Sequence, residues 1–136
     1  MTKIKGNNVL ITGGASGIGR IMGRMALEKG AKSLIIWDIN EANIASTVEE
    51  LEALGSVKGY KVDVSNSKMV EQSYAQCKAE CGDVDILINC AGIVTGNKTF
   101  DKQSLSDIER TMSINAVAPM VVALQALPAM IERDHG

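Results

Sequence analysis

Val9-Leu10-Ile11-Thr12-Gly13-Gly14-Ala15-Ser16-Gly17-Ile18-Gly19 is an apolar run that breaks into spaced glycines and then turns helical. Val9 to Ile11 suits a buried parallel strand, which is apolar on both faces. Beyond the glycines, Ile18, Ile21, Met22, Met25 and Ala26 recur at helical spacing, which predicts a helix from the last glycine onward. The turn between strand and helix carries almost no side-chain bulk. Such a turn lets backbone approach a pyrophosphate, whose charge is favoured by free N–H groups and the positive end of the helix dipole. Taken alone it also suits a tight turn that merely packs helix on strand.

Four further features favour a dinucleotide. The spacing is Gly-x-x-x-Gly-x-Gly after Thr12, with no Gly-Lys-Ser/Thr, which argues against a P-loop. Ser33-Leu34-Ile35-Ile36-Trp37-Asp38 reads as a second buried strand, and its terminal acid stands where a carboxylate would meet a ribose hydroxyl. Tyr60-Lys61-Val62-Asp63-Val64 closes a weaker third strand with another acid, and Asp85-Ile86-Leu87-Ile88-Asn89-Cys90-Ala91-Gly92 runs a fourth into a small-residue turn. All these distinctive residues fall at strand carboxyl ends, where open α/β sheets bind ligands.

The predicted order is strand 8–12, helix 18–29, strand 33–38, helix 41–53, strand 57–62, helix 67–81, strand 85–89 and helix 104–133, with one long loop at 91–103. Alternating strands and helices predict a parallel sheet with right-handed crossovers. Helix starts are signalled at Asn40, at Asn66 or Ser67, and at Ser104 or Ser106, whose side chains accept from free N–H groups. Residues 114–131 are mostly apolar, but Asn115, Pro119, Gln125 and Pro128 interrupt them. They read as a buried or interface helix rather than a membrane span. Pro119 has no N–H for the carbonyl of Asn115, which is therefore expected to stand free as an acceptor or to mark a kink.

A chain of 136 residues suits one domain, 1–136. Its net charge of −2 and pI near 5.4, with scattered basic residues and 3% aromatics, give no case for nucleic acid. Cys77, Cys81 and Cys90 form no Cys-x-x-Cys pair and the chain has one histidine, so no metal site is expected. Met1 to Gly6 is polar, which resembles no signal peptide; free thiols and no membrane segment point to the cytoplasm.

The motifs Thr12–Gly19, Asp38, Asp63-Val64, Asn89-Cys90-Ala91-Gly92 and Asn115 together resemble the short-chain dehydrogenase/reductase family. The runs Gly92-Ile93-Val94-Thr95-Gly96, Thr111–Asn115 and Leu127–Met130 are most similar to its 17β-hydroxysteroid and retinol dehydrogenase branch. The resemblance implies a Rossmann-type doubly wound sheet of strand order 3-2-1-4 that lacks the later strands. It implies an oxidoreductase moving hydride between nicotinamide and a secondary alcohol or ketone, and a homo-oligomer formed through the helix at 104–133. Cofactor-binding residues would be Gly13, Ser16, Gly17, Ile18, Gly19, Asp38, Ile39, Asp63, Val64, Asn89, Ala91 and Gly92. Asn115 is the catalytic candidate, binding a relay water. Asp38 would repel the 2′-phosphate of NADP, and Ser16 stands where NADP-preferring relatives often carry a basic residue, so NAD is the expected cofactor.

At Cys90 the family usually has Asn, so a hydrogen bond that stabilises the sheet is expected to be missing. The family's Ser and Tyr-x-x-x-Lys have no counterpart here. Tyr74 and Lys78 have the bare spacing but belong to the helix before the fourth strand, outside the cleft. The chain is therefore expected to be the cofactor half of such an enzyme, inactive alone, with an open fourth-strand edge prone to recruit other chains. A non-catalytic nucleotide-binding protein and an S-adenosylmethionine-dependent methyltransferase are the alternatives.

Overall fold

The β1 strand, Asn8–Thr12, is buried along its whole length, and its alternation assembles both layers of the core. Val9 and Ile11 point to one face of the sheet with Leu34 and Ile36, and Leu10 points to the other with Ile35 and Trp37. The computed structural model describes residues 3–95 and 98–136. Met1 and Gly96, used in reading the sequence, lie outside them.

The strands β1, β2 (Ser33–Asp38), β3 (Val57–Lys61) and β4 (Ile86–Asn89) form one sheet of order β3-β2-β1-β4. Every pairing is parallel, with Leu10 level with Ile35 and Leu87. The helices α1 (Gly17–Glu28) and α2 (Glu41–Leu51) cover one face, and α3 (Ser67–Cys81) and α5 (Ala118–Glu132) cover the other. This is the doubly wound order that the family resemblance implied, and the strand limits read from the sequence agree to within a residue.

Helix starts are local. The side chain of Asn40 accepts from the Asn43 N–H at 3.0 Å, and that of Asn66 accepts from Met69 at 3.0 Å. Ser104 and Asp107 cap each other reciprocally at the head of α4 (Leu105–Met112). At the amino end of the sheet, the buried Asp85 accepts from the Asn8 N–H at 2.9 Å and from Arg133 at 2.7 Å. Asp85 therefore anchors β4 from just outside it, and the strand begins one residue later than expected.

The single helix expected over 104–133 is instead three pieces. Between α4 and α5, Ser113–Val117 forms a wide π turn in which Ala118 donates to the Ser113 carbonyl five residues back. Pro119, at the head of α5, cannot donate to Asn115, and a π turn is one way a helix absorbs such a missing bond. Leu105–Glu132 is long and apolar enough to cross a membrane. Its α5 part lies along α3 and β4 here, with Val122, Ala126 and Ala129 buried and Met120, Leu124, Leu127 and Ile131 exposed.

Candidate cofactor cleft

The carboxyl end of the sheet opens into a cleft of about 400 Å³. Its floor is the turn from β1 to α1. Gly13 and Gly14 donate to the Trp37 carbonyl at 2.7 and 3.3 Å, which locks the turn against β2. Gly13 has φ +67°, and a Cβ there would lie 2.9 Å from the Cα of Ala91. A side chain on Gly19 would run into the Gly13 carbonyl. Gly17, at φ +48°, meets open space instead. These positions give a bare backbone surface with room above it.

The start of α1 leaves polar groups available. Ser16 occupies the N-cap in extended conformation, yet its hydroxyl makes no capping bond. Unpaired N–H groups of a first helical turn carry partial positive charge and attract anions. Beside them, the Asp38 carboxylate accepts from the Ala15 and Asn40 N–H groups at 3.2 and 3.1 Å. Two bonds leave capacity on a carboxylate that has about four lone-pair sites, and Asp38 still lines the cleft. Ile39 is exposed next to it.

Eleven of the sequence-derived cofactor residues line this cleft together: Gly13, Ser16, Gly17, Ile18, Gly19, Asp38, Ile39, Asp63, Val64, Ala91 and Gly92. The bare glycine turn, the open helix end and the acid at the end of β2 are a set of groups that could hold a dinucleotide.

Asn89 and Asn115 adjoin it without lining it. Asn89 donates to the Pro119 carbonyl at 3.3 Å, tying β4 to α5. The Asn115 amide makes a reciprocal pair with Ile93, accepting its N–H and donating to its carbonyl, both at 2.8 Å. This side chain pins the segment that leaves β4 to the π turn.

Three features escaped the sequence reading. The Thr12 hydroxyl accepts from the Cys90 and Ala91 N–H groups, both at 3.1 Å. The turn after β4 is thereby joined to β1, while Cys90 packs against the apolar layer under α1. Arg110 of α4 lines the cleft, as does Ile114; a cation on a surface helix gave no signal that it would reach a site.

The tyrosines are elsewhere. Tyr74 is buried between α3 and the sheet, and burial raises its pKa. Lys78 is paired with Asp83 at 2.9 Å, so the Tyr74–Lys78 spacing is accidental. Tyr60 donates to Glu80 at 2.9 Å, and burial followed by this bond pushes its pKa up as well. Burial also lifts the Cys77 thiol to about 11, the Trp37 indole N–H at 3.2 Å partly opposing it. Neither tyrosine lines the cleft.

The model of the short chain dehydrogenase family matches residues 7–136. The chain belongs to this family. It is 37% identical over 134 residues to estradiol 17-beta-dehydrogenase 11 of Macaca fascicularis, and 38% identical over 135 residues to human epidermal retinol dehydrogenase 2. In each case 98% of this chain is covered, but it spans only 44% and 43% of those relatives' length. Among solved structures, 2-keto-3-deoxy-D-gluconate dehydrogenase from Streptococcus agalactiae superposes with a TM-score of 0.85 at 27% identity. That match covers 98% of this chain and 50% of the other. A short-chain type dehydrogenase/reductase from Mycobacterium ulcerans gives 0.86 at 25% identity, covering 97% and 49%.

Proposed function

We propose that this chain forms the cofactor-binding side of an NAD-dependent oxidoreductase that acts on a secondary alcohol or ketone. The observation that carries this is the cleft: an uncapped glycine-lined helix start beside Asp38, an acid at the end of β2. When bound, the nicotinamide cofactor supplies a hydride acceptor or donor. The chain's part is to hold the pyrophosphate on the first turn of α1, bind ribose through Asp38, and flank the adenine with Ile39 and Val64.

Names of relatives support a lipophilic substrate of steroid or retinoid type. Asn115 has a positioning role in this reading: its amide fixes Ile93, while its carbonyl, out of reach of any N–H on Pro119, is proposed as the relay-water acceptor. The exposed stripe of Met120, Leu124, Leu127 and Ile131 supports a second copy of the chain packing along α5. With no tyrosine lining the cleft, the 136 residues alone should bind nucleotide weakly at best and turn over no substrate. The same observation favours a second reading, a non-catalytic nucleotide-binding protein, which an alcohol-oxidation assay of the longest natural chain would separate.

Calorimetric titration with NAD, NADP and S-adenosylmethionine tests the cofactor. A 2′-phosphate about 4 Å from Asp38 would be repelled by roughly 4 kcal/mol at an effective dielectric near 20, less where solvent reaches it. NAD should therefore bind at least tenfold tighter than NADP, and Asp38→Asn should narrow the gap. Equal or tighter binding of NADP, or preference for S-adenosylmethionine, would overturn the assignment.

A further inference from the structure

Arg110 is the one cation lining the cleft among the described residues, and the same lining carries two acids, Asp38 and Asp63. Its guanidinium makes no hydrogen bond or ion pair with described residues, and it is exposed. By contrast the Asp63 carboxylate is already engaged, accepting from the N–H and hydroxyl of Ser65 at 2.9 and 2.6 Å.

The helix places this group over one end of the cleft. Arg110 and Ile114 are four residues apart and both line it. Ile114 also meets Val64, Ala91 and Ala118 around a small adjoining gap. The segment carrying Arg110 thus stands by the residues that follow β3 and β4. In the dinucleotide reading, on which this inference rests, pyrophosphate occupies the glycine turn and ribose meets Asp38. The adenine then extends toward Ile39 and Val64, the end that Arg110 overlooks.

We infer that Arg110 closes the adenine end of the cleft, its guanidinium plane lying against the adenine ring. A guanidinium is planar, weakly hydrated and stacks on aromatic faces, whereas an ammonium does not reproduce that plane. Lacking an internal partner, Arg110 gives up no ion pair to do so. At an exposed site such a contact changes affinity by a factor of about two to five.

The test compares wild type, Arg110→Ala and Arg110→Lys for binding of AMP, ADP-ribose and nicotinamide mononucleotide by calorimetry or saturation-transfer NMR. Matched thermal unfolding of the three proteins controls for folding. Arg110→Ala should weaken AMP and ADP-ribose by about two- to fivefold and leave nicotinamide mononucleotide unchanged, and Arg110→Lys should recover only part of the loss. Unchanged AMP binding would overturn the inference alone. So would an equal loss for both mononucleotides, which would mean general attraction of phosphate. If wild type binds none of the three, the nucleotide reading falls and the inference with it.

Discussion

The first turn of α3 and the first turn of α1 begin in opposite ways. Asn66 closes the head of α3 with its own side chain, as Asn40 and Ser104 do for α2 and α4. Ser16 stands at the same place on α1 and closes nothing. Helix ends need partners for their first N–H groups, so a capped end is self-sufficient and an open end beside a cleft is held for something else. In the proposed reading, the difference separates residues kept for folding from residues kept for a nucleotide.

Gly19→Ala should break the contrast most severely. The added methyl meets the Gly13 carbonyl, which is backbone and has no rotamer to escape into. Overpacking of this kind costs about 1–3 kcal/mol. Urea unfolding should show that loss, and calorimetry should show NAD affinity falling more than tenfold. Near-normal affinity would mean that the turn is not the pyrophosphate cradle.

A paired measurement sharpens the comparison. Asn66→Ala should lower stability by about 1 kcal/mol, the usual worth of an N-cap, and leave nucleotide affinity alone. Ser16→Ala removes no cap, so stability should hold within about 0.5 kcal/mol while NAD binding weakens a few-fold. If both variants lose equal stability, the two helix starts do not differ as described.

The smallest effect concerns a tie remote from both. Hydrogen bonds from Lys58, Gln76 and Tyr60 hold the Glu80 carboxyl down to about 2, against an ordinary 4.5. A depressed folded-state pKa contributes stability above the unfolded value and loses it as pH falls through the folded one. Glu80→Gln should therefore flatten the decline in urea midpoint between about pH 4.5 and 2 and change little at neutral pH. An unaltered acid limb would remove Glu80 from the account.

Much of this was legible in the sequence because it depends on local rules. Glycine spacing, acids at strand ends and apolar runs located the four strands; Asn40 announced its helix, and the structure chose Asn66 over Ser67 and Ser104 over Ser106 as the other caps. What was missed depends on distant neighbours. The Thr12 hydroxyl reaches residues 78 and 79 positions away, and Asp85 stands just outside β4, which it anchors through Asn8 and Arg133. Asn115 was legible as a motif residue, but its bond to Ile93 follows from how α4 and α5 settle on the sheet. Arg110 entered the cleft the same way.

The wide turn at Ser113–Val117 also sets a phase. Each residue advances an α-helix by about 100°, so one extra residue in a turn rotates everything before it relative to everything after. That offset lets α4 aim Arg110 at the cleft while α5 aims Val122 and Ala126 into the core. Deleting one residue from this turn would reset the two helices to a common phase, and one of the two faces would have to turn away from its target. The segment works as a fixed gear, in which the orientation of a cleft residue is geared to the packing of a helix that does not line the cleft.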